Sequence, residues 1–279
     1  MGEEFTAATL KFWTNRAQRD DTVFAANLSD YVPNLAKYKD KHECSRILKI
    51  LRDRPKKKVL DLGCGTGRMA HFFSRISESV SAVDFSGPLI SLAEKYYSSS
   101  ENIDFQVCNI TEYLKDERYD VIFLGGVLSY LEDDDMQKVL ANLKCMLSPG
   151  GCIILRDSFY LRKRKILFKK YKKDLADEYS IVYRSRAEFE NMMQENGFRK
   201  EDENLFGIFP FLGPYHFFFR NVFGVSSGIY SRLSDLYFAV VDPFVPLTGM
   251  LVNTGIYKSI LYYLNSYQQI HYVYSCDGK

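Results

Sequence analysis

The stretch Val59-Leu-Asp-Leu-Gly-Cys-Gly-Thr-Gly-Arg68 constrains this chain more than any other. Val59 to Leu62 is a short apolar run interrupted by one acid, Asp61, and reads as a buried strand. Gly63, Gly65 and Gly67 follow, and an amphipathic segment from Arg68 to Ile76 predicts a helix. Glycine lacks a Cβ and accepts positive φ, so strand, glycine turn and helix together let a ligand come close to backbone N–H groups. The spacing excludes the dinucleotide fingerprint G-x-G-x-x-G, because the third glycine comes one residue early.

Beyond the turn, the pattern alternates between strand and helix. Ser79–Phe85 reads as a strand with Asp84 near its end, and Pro88–Tyr97 as a helix. Ile103–Ile110 and Tyr119–Leu124 are further strands, and Asp133–Met146 is a helix. It leads through Ser148-Pro149-Gly150-Gly151 to a strand over Cys152–Arg156. A helix over Ala187–Asn196 then stops at Gly197. Parallel strands joined by right-handed crossovers bind ligands outside their carboxyl ends, and the candidate ligand residues all sit there.

The motif D-L-G-C-G-T-G at Asp61–Gly67, after an apolar strand and followed by an acid at the next strand's end, resembles the first motif of class I S-adenosylmethionine-dependent methyltransferases. The resemblance implies a doubly wound, mostly parallel seven-stranded α/β sheet with helices on both faces. Its sixth strand is expected at Glu203–Phe209 and its antiparallel seventh at Gln269–Ser275. It divides the chain into an N-terminal helical lid (1–57), a cofactor-binding core (58–209), an aromatic-rich insertion (210–268) and a last core strand (269–279). It also implies S-adenosylmethionine as cofactor and S-adenosylhomocysteine as product. Asp61 would orient the cofactor's amino group, beside Gly63, Cys64, Gly65 and Gly67 of the turn. Asp84 would take both ribose hydroxyls, with Phe85 packing on adenine. Asn109 and Ile110 stand where the adenine edge is read, although many relatives carry an acid at Asn109. Gly125 and Gly126 would run under the methionine part.

The rest of the chain bounds the acceptor. A net charge of +2 argues against a molecule built to coat nucleic acid, and the six cysteines are scattered, as in a reduced, cytoplasmic protein. Eight of the twelve residues Arg162–Lys173 are Lys or Arg. They read either as a solvated face or as an anion-binding edge that could meet an acidic membrane. From Pro210 to Gln268 only Arg220, Arg232, Asp235, Asp242 and Lys258 are charged, yet no run reaches the roughly 18 apolar residues of a spanning helix. A helical cap over a bulky apolar substrate, an interfacial membrane segment and a dimer surface all fit, and the first is carried forward. Met1-Gly2-Glu3-Glu4-Phe5-Thr6 fits the loose myristoylation pattern, but acids follow the glycine.

These features predict methyl transfer to oxygen or nitrogen of a small or lipid-like acceptor in the cytoplasm, with peripheral membrane attachment left open. A hydroxyl acceptor needs a base, and His216 is preferred among His42, His216, Asp157, Tyr130 and Tyr160. His71 and His271 read as a helix and a strand residue. An RNA or protein methyltransferase using the basic strip is the alternative, opposed by Gly125-Gly126-Val127-Leu128 where an N/D-P-P-Y-type tetrapeptide would stand. A non-catalytic, membrane-associated cofactor-binding protein is the other.

Overall fold

The computed structural model describes residues 2–19, 26, 35–160, 165–170, 178–205, 236, 240 and 267–276. The chain forms two compact units: Met1–Ala26, Arg54–Glu203 and Asn265–Lys279 make the first, Asn27–Asp53 and Asn204–Leu264 the second. In the second unit helix α2 (Leu35–Ile50) buries Ile47, and Leu51 N closes its last turn on Ile47 O at 2.9 Å. Most of the 210–268 insertion, His216 included, lies outside the described residues.

The first unit is organised by a seven-stranded sheet. Its strands are β1 (Lys58–Leu62), β2 (Ser79–Asp84), β3 (Ile103–Val107), β4 (Tyr119–Gly125), β5 (Leu147–Tyr160), β8 (Phe198–Leu205) and β9 (Tyr267–Cys276). Their order is β3-β2-β1-β4-β5-β9-β8. The β1–β2, β2–β3, β1–β4 and β4–β5 pairs are parallel, and β9 is antiparallel to β5. Strand order reverses between β1 and β4, so the first and fourth crossovers leave from opposite sides and open a crevice at the carboxyl edge. The last strand takes the inserted antiparallel place expected of Gln269–Ser275. The strand before it does not begin at Glu203. Gly197 (φ +81) ends helix α6 (Arg186–Glu195) with its N–H on Gln194 O at 2.9 Å, and β8 starts at once with Phe198. Its residues after Phe198 run Arg-Lys-Glu-Asp-Glu-Asn, an edge-strand composition whose polarity hides it from an apolar-pattern search.

Helices cover both faces. In the register, Phe123 pairs Ile154 and Ile154 pairs Val273, a row that side-chain alternation places on one face. Phe73 of helix α3 (Arg68–Ser74) packs there, 5.6 Å from the Phe123 ring. Phe159 and Tyr272 stand on the other face, and Phe189 of α6 meets them at 4.7 and 5.6 Å. Helix α5 (Asp133–Met146) buries Met136, Val139, Leu140, Leu143 and Met146, the spacing of one helical stripe. Its first turn holds Asp133, Asp134 and Asp135, which favour the positive end of the helix dipole.

A second, two-stranded sheet joins β6 (Lys165–Lys170) to β7 (Glu178–Tyr183). The basic strip therefore contains a hairpin strand. Helix α1 (Gly2–Arg19) packs against β7 and against helix α4 (Gly87–Tyr97), with Phe12, Trp13 and Ala17 buried. No described helix is long and apolar enough to cross a membrane.

Candidate active site

The crevice is built first from the glycine turn. Gly63, Gly65 and Gly67 all adopt left-handed backbone, with φ of +77°, +57° and +76°. Each is also pressed from outside. A Cβ on Gly63 would overlap Val127 Cγ2, one on Gly65 would lie 2.8 Å from the Ala26 methyl, and one on Gly67 2.8 Å from the Phe105 ring. The alternation of glycines is thus a steric demand of three different neighbours. Gly63 N and Cys64 N donate to Val83 O at 2.7 and 3.0 Å, tying the turn to the end of β2.

Asp84 completes that tie. It is 5 % exposed, its Oδ2 accepts from Gly65 N at 2.9 Å and its Oδ1 from Ser86 N at 2.9 Å. Burial pushes the carboxyl up to about 6, against the opposing pull of those backbone donors. An ionised carboxylate offers about four lone-pair sites, so two further hydroxyl donors can be accommodated. Asp61 is buried in β1, and Cys64 is buried within the turn. Burial raises the Cys64 thiol, with the charges of Asp61 and Asp84 adding to it, which makes Cys64 an inert apolar filler. Phe85 follows Asp84, and Ile110 is buried past the end of β3. Asn109 Oδ1 accepts from Thr111 N at 3.1 Å, an Asx turn that leaves the amide NH2 as the group directed to other partners.

The end of β4 is held by Asp157, a base candidate by sequence, and by Arg184, which the sequence did not single out. After Gly125 the chain makes a 3-10 turn, Leu128–Tyr130. Asp157 Oδ2 accepts from Ser129 N at 3.1 Å, and its Oδ1 from Ser158 N at 2.7 Å. Arg184, only 3 % exposed, donates to Leu128 O at 3.0 Å, to Leu131 O at 2.8 Å and to Asp133 Oδ1 at 2.8 Å. Asp157 is therefore engaged with Ser129 N of this turn and with Ser158 N of its own strand, and burial raises its carboxyl. Tyr130, at the end of the turn, meets Trp13 edge-on at 5.7 Å. Thr14 Oγ1 lies 3.5 Å from Ser86 Oγ, so α1 touches the ends of both β2 and β4. No local pattern marks Arg184 or Ser86. Arg184 sits in Tyr183-Arg-Ser-Arg186, where it looks like any solvated charge.

The histidines separate. His71 stacks on Tyr97 at 4.5 Å, its Nδ1 lies 3.3 Å from Ser100 Oγ, and burial, then the charge of Arg75, lowers its basicity. His271 is buried in β9, opposite Arg156. His42 is in α2 of the second unit. The side chain of Tyr160, like His216, lies outside what is described.

Known proteins converge on this region. Residues 59–151, from β1 into β5, match the family model for a methyltransferase domain. A phosphoethanolamine N-methyltransferase of Triticum aestivum is 30 % identical over 171 residues, 59 % of this chain and 33 % of that one. A malonyl-[acyl-carrier protein] O-methyltransferase of Halalkalibacterium halodurans is 31 % identical over 119 residues, 39 % of this chain and 43 % of that one. The chain thus spans about a third of the length of the plant relatives it matches. Among solved structures, the DhpI–SAH complex superposes with a TM-score of 0.57 at 19 % identity, covering 72 % of this chain and 93 % of that one. Haemonchus contortus phosphoethanolamine N-methyltransferase 1, with phosphoethanolamine and S-adenosylhomocysteine, gives 0.57 at 18 % identity over 74 % and 44 %. The structural likenesses establish the fold, and the glycine turn with its four strand ends lies inside the matched domain. Residues 59–151 of this chain therefore match a methyltransferase domain, and the sheet built on them has the fold of these solved structures, a phosphoethanolamine N-methyltransferase among them.

Proposed function

We propose that the protein transfers a methyl group from S-adenosylmethionine to oxygen or nitrogen of a small-molecule acceptor. The observation that carries this reading is the glycine turn. Three positive-φ glycines, each with a neighbour where a Cβ would go, keep backbone bare beside a carboxylate that has acceptor capacity to spare. Those features fit the cofactor: a ribose diol would donate to Asp84, and Asn109 would read the adenine edge. Gly125 and Gly126 would pass beneath the aminoacyl tail. When bound, the cofactor supplies a methyl group already activated on a sulfonium. The protein's task is then mainly alignment, for which effective molarities of about 10⁵–10⁸ M are attainable. Asp61, Cys64 and Phe85 would shape the pocket, and residues 1–57 are read as an N-terminal lid. We assign 58–209 with 269–279 to the core and 210–268 to a substrate cap, with His216 kept as the candidate base. Membrane contact through the basic strip is not part of this reading.

The test is calorimetric. S-adenosylhomocysteine should bind the wild type, and Asp84→Ala should weaken it about 10- to 150-fold through loss of charge-assisted hydrogen bonds worth roughly 1.5–3 kcal/mol. Because Asp84 ionises near pH 6, affinity should also fall below that pH, and Asp84→Asn should abolish the dependence. The sign for stability is opposite. A carboxyl raised from 3.8 to about 6 in the fold binds protons that the unfolded chain has released. Its contribution therefore worsens by about 3 kcal/mol as pH rises from roughly 4 to 6. A folded Asp84→Ala protein that binds the ligand like wild type would remove Asp84 from the site.

The cap makes a separate prediction. Replacing Pro210–Gln268 by a short Gly/Ser linker should leave S-adenosylhomocysteine affinity within a few-fold and abolish transfer of labelled methyl to the acceptor. Transfer at the wild-type rate by that folded variant would sink the cap assignment.

A further inference from the structure

The double glycine that closes β4 makes room for a guanidinium. Gly125 stands opposite Arg156 in the β4–β5 register, and Gly126 N donates to Arg156 O at 2.6 Å. A Cβ added to Gly125 would lie 2.7 Å from the Phe123 ring and 2.9 Å from Arg156 Nη2, and one added to Gly126 (φ +77°) 3.2 Å from Nη1. The head of the half-buried arginine therefore spans both glycines, over backbone that a side chain at either position would deny it. From the other side the same segment is touched by the glycine turn, through Gly63 and Val127. Across the carboxyl edge the order is thus glycine turn, Gly125–Val127, Arg156.

That order separates two ligands. The positions assigned to the cofactor come from the ends of β1, β2, β3 and β4. Arg156 belongs to β5, the next strand outward, on the side left to the methyl acceptor. The neighbouring Asp157 alternates to the opposite face, where Ser129 N and Ser158 N donate to its two oxygens, although the charge of Arg156 still reaches its carboxyl. A planar guanidinium pairs with carboxylate or phosphate through two parallel N–H···O bonds, a geometry an ammonium cannot reproduce. Resting on the methyl-transfer reading above, we propose that Arg156, seated on Gly125–Gly126, is an oxyanion receptor that binds a phosphate or carboxylate group of the methyl acceptor.

The experiment uses the full chain loaded with S-adenosylhomocysteine. Inorganic phosphate and acetate are titrated separately while the Arg156 Nε–H resonance, assigned from its absence in Arg156→Met, is followed by NMR. A saturable shift with at least one of them, not reproduced by chloride at equal ionic strength, is expected. A second arm compares S-adenosylhomocysteine with methylthioadenosine, which lacks the aminoacyl carboxylate, in wild type, Arg156→Lys and Arg156→Met. Both ligands should bind each variant within about two-fold of wild type. Absence of any saturable shift in the wild type overturns the proposal, whether or not the variants fold. A ten-fold loss for S-adenosylhomocysteine alone overturns it differently, by giving Arg156 to the cofactor's own carboxylate. Failure of the wild type to bind S-adenosylhomocysteine at all would instead remove the methyl-transfer reading on which the proposal rests.

Discussion

Gly63→Ala should cost about 2–5 kcal/mol of folding stability, with two separable origins. The left-handed backbone at φ +77° costs an L-residue roughly 1–2 kcal/mol. The new methyl also overlaps Val127 Cγ2, and overpacking of this kind costs about 1–3 kcal/mol. The two terms are told apart by a cycle with Val127→Ala, which removes the obstructing side chain and leaves the backbone conformation in place. Gly63→Ala should then be less damaging in the Val127→Ala background by the overpacking share alone. Urea midpoints of the four proteins measure this. A cost for the single variant below about 1 kcal/mol would contradict the backbone conformation at Gly63 itself, because that term is insensitive to neighbours.

Arg184→Met should be as severe for a different reason. The side chain is 3 % exposed and serves Leu128 O, Leu131 O and Asp133 together. Methionine fills similar volume but leaves two backbone carbonyls without their donor, at about 1–3 kcal/mol each. The loss should total roughly 2–5 kcal/mol. Asp133 is 42 % exposed, so the ion pair itself is screened and Asp133→Asn should cost less than about 1 kcal/mol. That asymmetry is the diagnostic. If Asp133→Asn proves as damaging as Arg184→Met in chemical denaturation, the pair rather than the carbonyls holds the turn. Arg184→Lys should fall between, since one ammonium cannot keep the forked geometry.

What the sequence by itself determined was whatever depends on neighbours along the chain. The strand, glycine turn and helix around Asp61–Gly67 are legible because backbone conformation is set within a few residues. Glycine at positive φ leaves a mark that composition alone reveals. The α5 helix was readable in its full span, Asp133 to Met146. Asp84 was legible too, as an acid at a strand end. The tertiary structure decided the rest. It engaged Asp157, a candidate base, with the backbone of the β4 turn, and laid the head of Arg156 across Gly125–Gly126. It buried Arg184 under that turn, 53 residues beyond Leu131 in sequence, and set α1 against Ser86 and Tyr130. It also began β8 at Phe198, before the apolar run that suggested Glu203. Burial and partnership of a charge are properties of distant segments brought together, and a polar edge strand is specified by the strand beside it. A charged side chain carries no mark in sequence of whether water or a carbonyl will satisfy it, because that is settled only when the sheet closes around it.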